Sequence, residues 1–502
     1  MARVKAHIKE IKRKLRKQLK SQYKQFKSYK RKEKKRILSS LLQQIIANYD
    51  ITQPVTTNNY ELCGVEQIPE NIISLKQMEQ LQKQFNAGLL PLKLRTNNNA
   101  IKDPELQFIN QLCNWSFINK LLEPENYSHV HRQKYPVHLF KAELLKSLKY
   151  PELTYRKYCE RELNNKERKE NRAFVGLKAS AKISHSQLSQ FRSSLSYCSL
   201  INIMVYFIHL FLSEKKLSPN VFYAVDSTEL AEKIQSYPLV KMKFHGQEIR
   251  IYQDLDADCG SRRRKRDKSP FVVGYRLHTL TVIEPTTQKA YPLLSILASA
   301  NHHDSHFLQM LIDLGKAIGL ELNIVVGDQA YGKDNESETI QRKHQVTILN
   351  HPKETKKLPK FVDQETYQVY MNDFCQIPMA YSGNDDKYGH EYHCSDDSGQ
   401  CHFAAVCNRM RHIPVDNGVF GQLPYHFKET QQLCDMRKVA ERPFNLLKHR
   451  EGLEPLRTLS KETTRTVTVI ANIATLLIEI AGYRHKRKVS KNEQTVLFAK
   501  AA

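Results

Sequence analysis

Two short apolar runs, each ending on an aspartate, are the clearest pattern of hydrophobic and polar positions along the chain. Residues 221–225 (Val-Phe-Tyr-Ala-Val) precede Asp226, and residues 322–327 precede Asp328 in the same way. Short runs rich in β-branched and aromatic residues are typical of buried strands. Because open α/β sheets carry their chemistry at the carboxyl ends of strands, we expect both carboxylates to face one pocket. A single aspartate of this kind is also typical of a helix cap or a turn.

A third acidic residue, Glu441, lies in a segment with helical periodicity, residues 435–448. At about 100° per residue, Arg437 and Lys448 fall on the same helical face as Glu441. The apolar residues of the segment fall on the opposite face, where they can pack on a sheet. Pro443 removes one backbone hydrogen bond, so we expect a kink or a late helix start there.

These acids, with the arginine four positions before the glutamate and the lysine seven positions after it, resemble the DDE (Asp-Asp-Glu) transposases of bacterial insertion sequences, of the insertion-sequence-four type. The family normally has a tyrosine three positions before the arginine, where this chain has Cys434. The resemblance covers roughly residues 180–480 and includes residues 185–192, 256–262 and 274–278.

The resemblance implies an α/β fold: a ribonuclease-H-like mixed sheet flanked by helices, with an insertion domain and a helical N-terminal DNA-binding region. The expected parts are a basic arm, helical or disordered (1–50), a helical DNA-binding domain (51–217), a catalytic domain in two pieces (218–332 and 429–483), an insertion domain (333–428) and a basic tail (484–502).

Three carboxylates that converge repel one another unless cations lie between them, and hard divalent ions suit such oxygen ligands. We therefore expect two Mg²⁺ ions, replaceable by Mn²⁺, held by Asp226, Asp328 and Glu441. Such a pair promotes in-line displacement at phosphorus. Arg437 and Lys448 would bind phosphates of the DNA. The expected reaction is cleavage of DNA at the ends of a mobile element and joining of the freed 3′-hydroxyl to target DNA.

The charge of the chain points to a polyanionic partner. Lys and Arg outnumber Asp and Glu by 78 to 52, for a net charge of +26, which favours nucleic acid, with an anionic membrane surface as the alternative. Residues 1–36 carry 17 Lys and Arg against two Glu. Their apolar residues recur at helical spacing, so this arm is a basic amphipathic helix or a disordered basic tail. Either would bind phosphates without reading sequence.

The helical region from about residue 37 to 217 contains a turn, a short polar helix and a longer apolar helix over residues 184–212. This arrangement predicts either a DNA-reading module or a plain helical bundle. The apolar runs 201–212 and 467–480 are short for membrane spans, so we expect core helices and no membrane partner. The arm lacks the apolar core of a signal peptide, and we expect a prokaryotic protein of the cytoplasm, associated with the nucleoid.

Five consecutive basic residues follow the first aspartate and would attract the DNA backbone toward the metal site; they are Arg262, Arg263, Arg264, Lys265 and Arg266. A solvated turn or a localisation-like patch is the alternative for this loop.

The expected insertion domain, residues 333–428, contains four of the ten cysteines: Cys375, Cys394, Cys401 and Cys407. In a reducing compartment such a cluster is more often metal-binding than disulfide-bonded, so a structural Zn²⁺ is one hypothesis. There is no close Cys-x-x-Cys pair, and free thiols are the alternative.

The expected partner is double-stranded DNA, both the element ends and the target, with a dimer on DNA because two ends must be held together. A ribonuclease-H-like nuclease without strand transfer and a catalytically decayed DNA-binding protein remain open as alternatives.

Overall fold

The structure is a computed structural model that describes residues 2–20, 26, 29–55, 60, 63–88, 98–122, 136–178, 180–231, 237–261, 270–331, 334–351, 358–385, 387–395, 401, 407–415, 419–450, 452–454 and 456–500. Up to residue 217, the regular elements among the described residues are all helical. A mixed sheet flanked by helices follows.

The strands fall into three sheets. In chain order they are β1 (Phe222–Ala231), β2 (Val240–Phe244), β3 (Gln247–Ile251), β4 (Asp258–Ser261), β5 (Phe271–Glu284), β6 (Lys289–Ser299), β7 (Ile324–Gly327), β8 (Thr347–Asn350), β9 (Met379–Asp385), β10 (Gly389–Cys394) and β11 (Met410–Ile413). The main sheet has the order β4-β5-β1-β7-β8, and β6 also pairs with β5. β1 is antiparallel to β5 and parallel to β7, which is parallel to β8. β2 and β3 form a separate hairpin, and β9, β10 and β11 form a small sheet.

The helices, also in chain order, are α1 (Ala2–Lys20), α2 (Arg31–Ala47), α3 (Leu75–Gly88), α4 (Pro104–Leu112), α5 (Trp115–Leu122), α6 (Pro136–Lys149), α7 (Tyr155–Tyr158), α8 (Lys169–Val175), α9 (His185–Ser194), α10 (Tyr197–Lys215), α11 (Ser305–Ala317), α12 (Asp334–His344), α13 (Lys428–Met436), α14 (Arg442–Asn445) and α15 (Lys461–Lys500). Short 3₁₀ segments occur at Asn98–Ala100, Gln329–Tyr331 and Arg437–Glu441, and π turns at Cys159–Leu163 and Leu446–Arg450.

The first predicted strand is present, but it is longer than the apolar run that predicts it. Pairing of β1 with β5 continues to Ala231, whereas its pairing with β7 ends at Val225. Asp226 therefore lies in the middle of its strand, not at the carboxyl end as expected. Its position is nevertheless an edge, because the parallel neighbour stops one residue earlier and leaves that side of β1 open.

The predicted insertion domain begins too early in the chain. β8 pairs in parallel with β7, and a parallel pair needs a crossover, which α12 supplies. The main sheet therefore extends to Asn350, instead of ending at residue 332. The small sheet β9-β10-β11 and its own apolar cluster follow, around Val369, Tyr392 and Phe420.

The main sheet is buried on both faces. Alternate residues of β1 and β7, such as Tyr223 and Val325, join one large core with the N-terminal helices. The N-terminal helices and the main sheet thus share this core. On the other face, Phe222 and Val326 pack against Ala440. This alternation follows from the two-residue period of a strand.

Two helices, residues 197–215 and 461–482, have the length and apolar composition of a membrane span. Half of the apolar window in the first and 78% of that in the second are buried inside the protein. That burial is typical of core helices, as expected for both apolar runs.

The basic arm forms helices. Ile11 and Leu15 on α1 and Leu38 on α2 are at most 1% exposed and pack on the hairpin β2-β3. On another side of α1, Lys12 binds Asp258 at 2.6 Å. Of the two alternatives for residues 2–20, the amphipathic helix is therefore correct, and it is docked on the α/β part of the molecule.

Candidate active site

The pairing of β1 with β7 brings the two aspartates together. Val225 lies opposite Gly327, so Asp226 and Asp328 each follow a paired position by one residue. Side chains alternate between the two faces of a strand. The even-numbered residues Phe222 and Val326 face the side on which the segment of Glu441 packs. Asp226 and Asp328 are also even-numbered, so the alternation directs both carboxylates to this same side of the sheet.

Glu441 comes to this side on a helix that changes its winding. α13 ends at Met436, a 3₁₀ segment runs from Arg437 to Glu441, and α14 restarts at Arg442 with Pro443 in its first turn. Pro443 has no N–H to give to an α-helix, so the late start expected there is present. The Glu441 side chain is 63% exposed.

Arg437 lies between two of the acids. Its Nη1 donates to Asp226 Oδ2 at 3.0 Å, and its Nη2 lies 3.9 Å from Glu441 Oε1. The arginine and Asp226 side chains are only 12% and 13% exposed. The predicted phosphate-binding arginine is therefore held by the acidic site itself.

The environment of Asp226 disfavours its charged form. Burial raises the pKa of Asp226 to about 6; the Arg437 guanidinium and the Ser227 amide lower it, and the charges of Glu441 and Asp328 raise it. The contributions of both other acids place them within electrostatic reach of Asp226.

The donor set fits a hard divalent cation. Three carboxylates supply only oxygen ligands, and their mutual repulsion at Asp226 would be relieved by positive charge between them. Within the described ranges, however, no group of three or more His, Cys, Asp or Glu side chains is arranged so as to hold a metal ion. The cation that contacts Asp226 in the structure is the Arg437 guanidinium, at 3.0 Å.

Lys448 lies on the π turn after α14, and its Nζ contacts Glu454 Oε2 at 3.3 Å. The segment is not the regular α-helix on which the spacing predicted for residues 437, 441 and 448 was based, because it passes through 3₁₀, α and π winding. The side chains of Arg437 and Glu441 still lie close together, 3.9 Å apart, as the spacing predicts. The basic loop of residues 262–266 lies outside the described residues.

Cys434 does not point into the site. Its side chain is fully buried against Phe222, Ala224 and Ala440, and burial raises the pKa of its thiol to about 12. Its carbonyl accepts a hydrogen bond from His351 Nε2 at 3.0 Å. A tyrosine at this position would have to displace core side chains from the face of the sheet.

A polar network beside Asp226 contains residues that sequence reasoning did not assign a role. Arg276 on β5 donates to Asp304 at 2.8 Å and lies 3.5 Å from Glu229 on β1. His278 Nδ1 lies 3.1 Å from the Tyr331 hydroxyl, and the His278 ring stacks on Phe307.

Tyr331 also hydrogen-bonds Ser227, the neighbour of Asp226, and its own pKa is raised by burial. Burial likewise lowers the pKa of His278, so its ring is neutral. The network therefore braces both aspartate-bearing strands. In the sequence, the alternation of polar residues at positions 276 and 278 within an apolar strand is the feature that could have predicted this network. No sequence pattern predicts the part played by Asp304.

Gly327 allows the close approach of the strands at this edge. A Cβ there would lie 2.6 Å from Asn350 Oδ1 and 3.3 Å from Tyr331 Cβ. Asn350 is buried opposite Gly327 in the β7-β8 pair. In the orientation that satisfies its amide, Asn350 donates to the Gly327 carbonyl at 3.2 Å.

Two of the four cysteines proposed for zinc have hydrogen-bond partners in different parts of the chain. Cys375 Sγ donates to the Ile377 carbonyl at 3.5 Å, Cys407 Sγ accepts from the Arg409 amide at 3.4 Å, and Cys394 ends β10. Structural zinc stays a prediction, which elemental analysis of the purified protein tests directly.

Compared with protein-family models and with curated proteins, the chain matches none.

Proposed function

We propose that the protein is a metal-dependent DNA transposase of the DDE type, with a ribonuclease-H-like catalytic sheet. The single observation that carries the proposal is the grouping of acids around Asp226. Asp328 follows the strand position paired with Val225, Arg437 links Asp226 to Glu441, and the charges of both acids raise the pKa of Asp226. The strand order supports the fold assignment, since β6, β5 and β1 are antiparallel neighbours and β7 and β8 continue the sheet in parallel.

Asp226, Asp328 and Glu441 would hold divalent cations, Mg²⁺ or Mn²⁺. When bound, these ions supply activation of the attacking oxygen and charge stabilisation of the leaving oxygen at phosphorus. Asp226 lies in the middle of β1 and is 13% exposed, whereas Glu441 ends a 3₁₀ segment and is 63% exposed. This difference suits a site in which one ligand is preset and another closes around the substrate.

In the proposed reaction, the Arg437 side chain would break its hydrogen bond to Asp226 and bind a phosphate of the DNA substrate instead. A guanidinium binds a phosphate through paired hydrogen bonds as well as it binds a carboxylate. A DNA phosphate entering the site would therefore compete with Asp226 for the Arg437 guanidinium, and release of Arg437 would leave the Asp226 carboxylate free to act as a ligand. The excess of basic residues supplies the attraction of the backbone toward the site.

The test is Mg²⁺-dependent cleavage of supercoiled plasmid that carries the DNA flanking this gene on both sides, with EDTA as the blank. Asp226→Asn, Asp328→Asn and Glu441→Gln should each reduce cleavage by more than about 100-fold, since losing a metal ligand costs more than losing an outer-shell partner.

Asp435→Asn is the matched control, because this carboxylate lies on the same segment but is 61% exposed and forms its ion pair with Lys438, at 3.1 Å. It should cleave like the native protein. Mg²⁺-dependent cleavage by Asp226→Asn at the native rate would refute the proposal.

The reaction products distinguish a transposase from a nuclease and from a protein that only binds DNA. Strands joined to target DNA identify a transposase, and cleaved but unjoined ends identify a nuclease. Tight, salt-sensitive binding of DNA with no cleavage by the native protein would instead favour a binding-only role. Cross-linking on DNA that carries two ends tests the expected dimer.

A further inference from the structure

A polar cleft lies where the N-terminal helices meet the chain that follows the Glu441 helix. α6 lines one side of this cleft, Gly452 and residues 456–458 line the other, and α15 forms the apolar floor. The cleft encloses about 440 Å³ with its open mouth included. We call it the Lys146–Arg457 cleft after its two cations.

The acid that lines the cleft is already neutralised. Glu143 binds Arg192 at 2.6 Å, and the Tyr155 hydroxyl donates to Glu143 at 2.8 Å. The glutamate and arginine side chains of this pair are only 2% and 6% exposed. The positive charge of Lys146 and Arg457 is therefore not balanced by Glu143.

Lys146 is held weakly for a buried ammonium group. It is 7% exposed, and the carbonyls of Tyr150 and Pro151 that accept from it lie at 3.3 and 3.4 Å. Its Nζ also lies 4.9 Å from the centroid of the Tyr155 ring. Burial lowers the pKa of Lys146 to about 8, Glu143 raises it and Arg457 lowers it further, so the group is still charged at neutral pH.

Arg457 carries the clearer sign of a missing partner. Its Nη1 is buried and has no hydrogen-bond partner among the described residues. Leaving a charged donor unsatisfied is costly, so buried donors of this kind are almost always paired. Arg457 and Lys146 act on each other as like charges, and Glu143 and Glu152 are the acids that act on Lys146. An anion is the partner that would satisfy the free Arg457 donor and offset the charge of both cations.

We propose that the Lys146–Arg457 cleft binds a phosphate group. A guanidinium fork beside an ammonium group is the arrangement that recognises tetrahedral oxyanions, because the fork makes two directed hydrogen bonds and the ammonium adds a compact charge. The phosphate belongs either to a DNA backbone or to a small phosphate compound.

The position of the cleft makes the DNA backbone one natural source. Lys448 and the cleft are joined by a short turn, in which Gly452 adopts a φ of +76° against Pro151. The Glu454 amide donates to the Lys448 carbonyl at 2.9 Å, so the chain that lines the cleft lies directly beside Lys448, the residue expected to bind DNA phosphate. Binding of free phosphate does not depend on the DNA chemistry proposed above.

The experiment is calorimetric titration of inorganic phosphate into the full-length protein, with chloride at the same ionic strength as the reference. Arg457→Gln should weaken phosphate binding at least about tenfold, because a charged hydrogen-bonding partner is lost. Lys146→Met should act in the same direction. Circular dichroism checks folding, and Arg457→Gln decides the case if Lys146→Met does not fold.

Arg156→Gln is the matched control: it removes one exposed positive charge from α7 without altering the lining of the cleft. It should change phosphate affinity less than about twofold, as expected for an exposed charge. Saturable phosphate binding that Arg457→Gln leaves intact would overturn the proposal, as would native protein that does not distinguish phosphate from chloride.

Titration of a short DNA duplex then identifies the source. If the backbone supplies the phosphate, Arg457→Gln also weakens duplex binding and lowers the salt slope by about one. If a small compound supplies it, duplex affinity is unchanged while free phosphate binding is lost.

Discussion

The Arg437 guanidinium donates to the Asp226 carboxylate at 3.0 Å while its other nitrogen lies 3.9 Å from Glu441. One side chain thus links a residue in the middle of a strand to a residue on a helix more than 200 positions later in the chain. A cation of the protein itself lowers the pKa of Asp226, which burial and the neighbouring acids raise. The site is therefore prepared for positive charge.

The first prediction concerns the pH dependence of stability at Asp226. The pKa is about 6 in the folded protein, against roughly 3.9 when unfolded. Between these values the native state keeps a proton that the unfolded state has lost, so stability falls as pH rises through this window. Asp226→Asn cannot ionise and should be more stable than the native protein by roughly 3 kcal/mol at pH 8, with no difference below about pH 4.

Thermal unfolding midpoints at both pH values measure this difference. Asp435→Asn should follow the native protein at each pH, because its carboxylate is largely in solvent. A midpoint difference for Asp226→Asn that does not change with pH would contradict the burial of an ionised Asp226.

The second prediction concerns Gly327. Gly327→Ala should destabilise the protein by roughly 1–3 kcal/mol, because the new methyl group meets the buried Asn350 side chain and overpacks the strand pair. Gly482→Ala is the control: nothing lies within 4 Å of a Cβ there, and alanine favours a helix, so it should be neutral or stabilising by up to about 1 kcal/mol. Chemical denaturation compares the two. Adding Asn350→Ala should restore part of the loss at Gly327.

The third prediction concerns the N-terminal helix. Leu15→Ala should cost roughly 2–5 kcal/mol of local stability, since Leu15 is 1% exposed against the hairpin β2-β3. Amide hydrogen exchange of α1 and of the hairpin should accelerate together. Lys17→Ala, at an exposed position of the same helix, should leave both rates unchanged. Fast exchange of α1 in the native protein would indicate a detached arm.

The fourth prediction concerns the buried ion pair of the N-terminal helices. Arg192→Met should destabilise the protein by roughly 3–5 kcal/mol because it leaves Glu143 buried without its partner. Lys83→Met removes a pair of the same length, 2.6 Å, whose side chains are 74% and 50% exposed, and should cost about 1 kcal/mol or less. Because the two ion pairs have the same length, the difference between the unfolding midpoints of the two variants measures the effect of burial on the contribution of an ion pair to stability. The double variant Glu143→Gln with Arg192→Met should recover part of the loss.

The local pattern of the chain was sufficient to predict individual elements. The apolar runs before Asp226 and Asp328 predicted β1 and β7, and the structure has both. Pro443 predicted the late start of α14 for a purely local reason, the missing N–H. The periodicity of residues 2–20 favoured the helix that α1 forms.

Tertiary structure decided everything that depends on a neighbour. The end of β7 sets Asp226 at an open edge of β1, and register sets Asp328 beside it. Regular helical spacing predicts Arg437 and Lys448 on one face, whereas the folded segment has 3₁₀ and π winding and Lys448 pairs with Glu454. The unpaired nitrogen of Arg457 has no local signature. Spacing along a sequence encodes periodicity, whereas pairing of charges and strands depends on distances that only the folded chain creates.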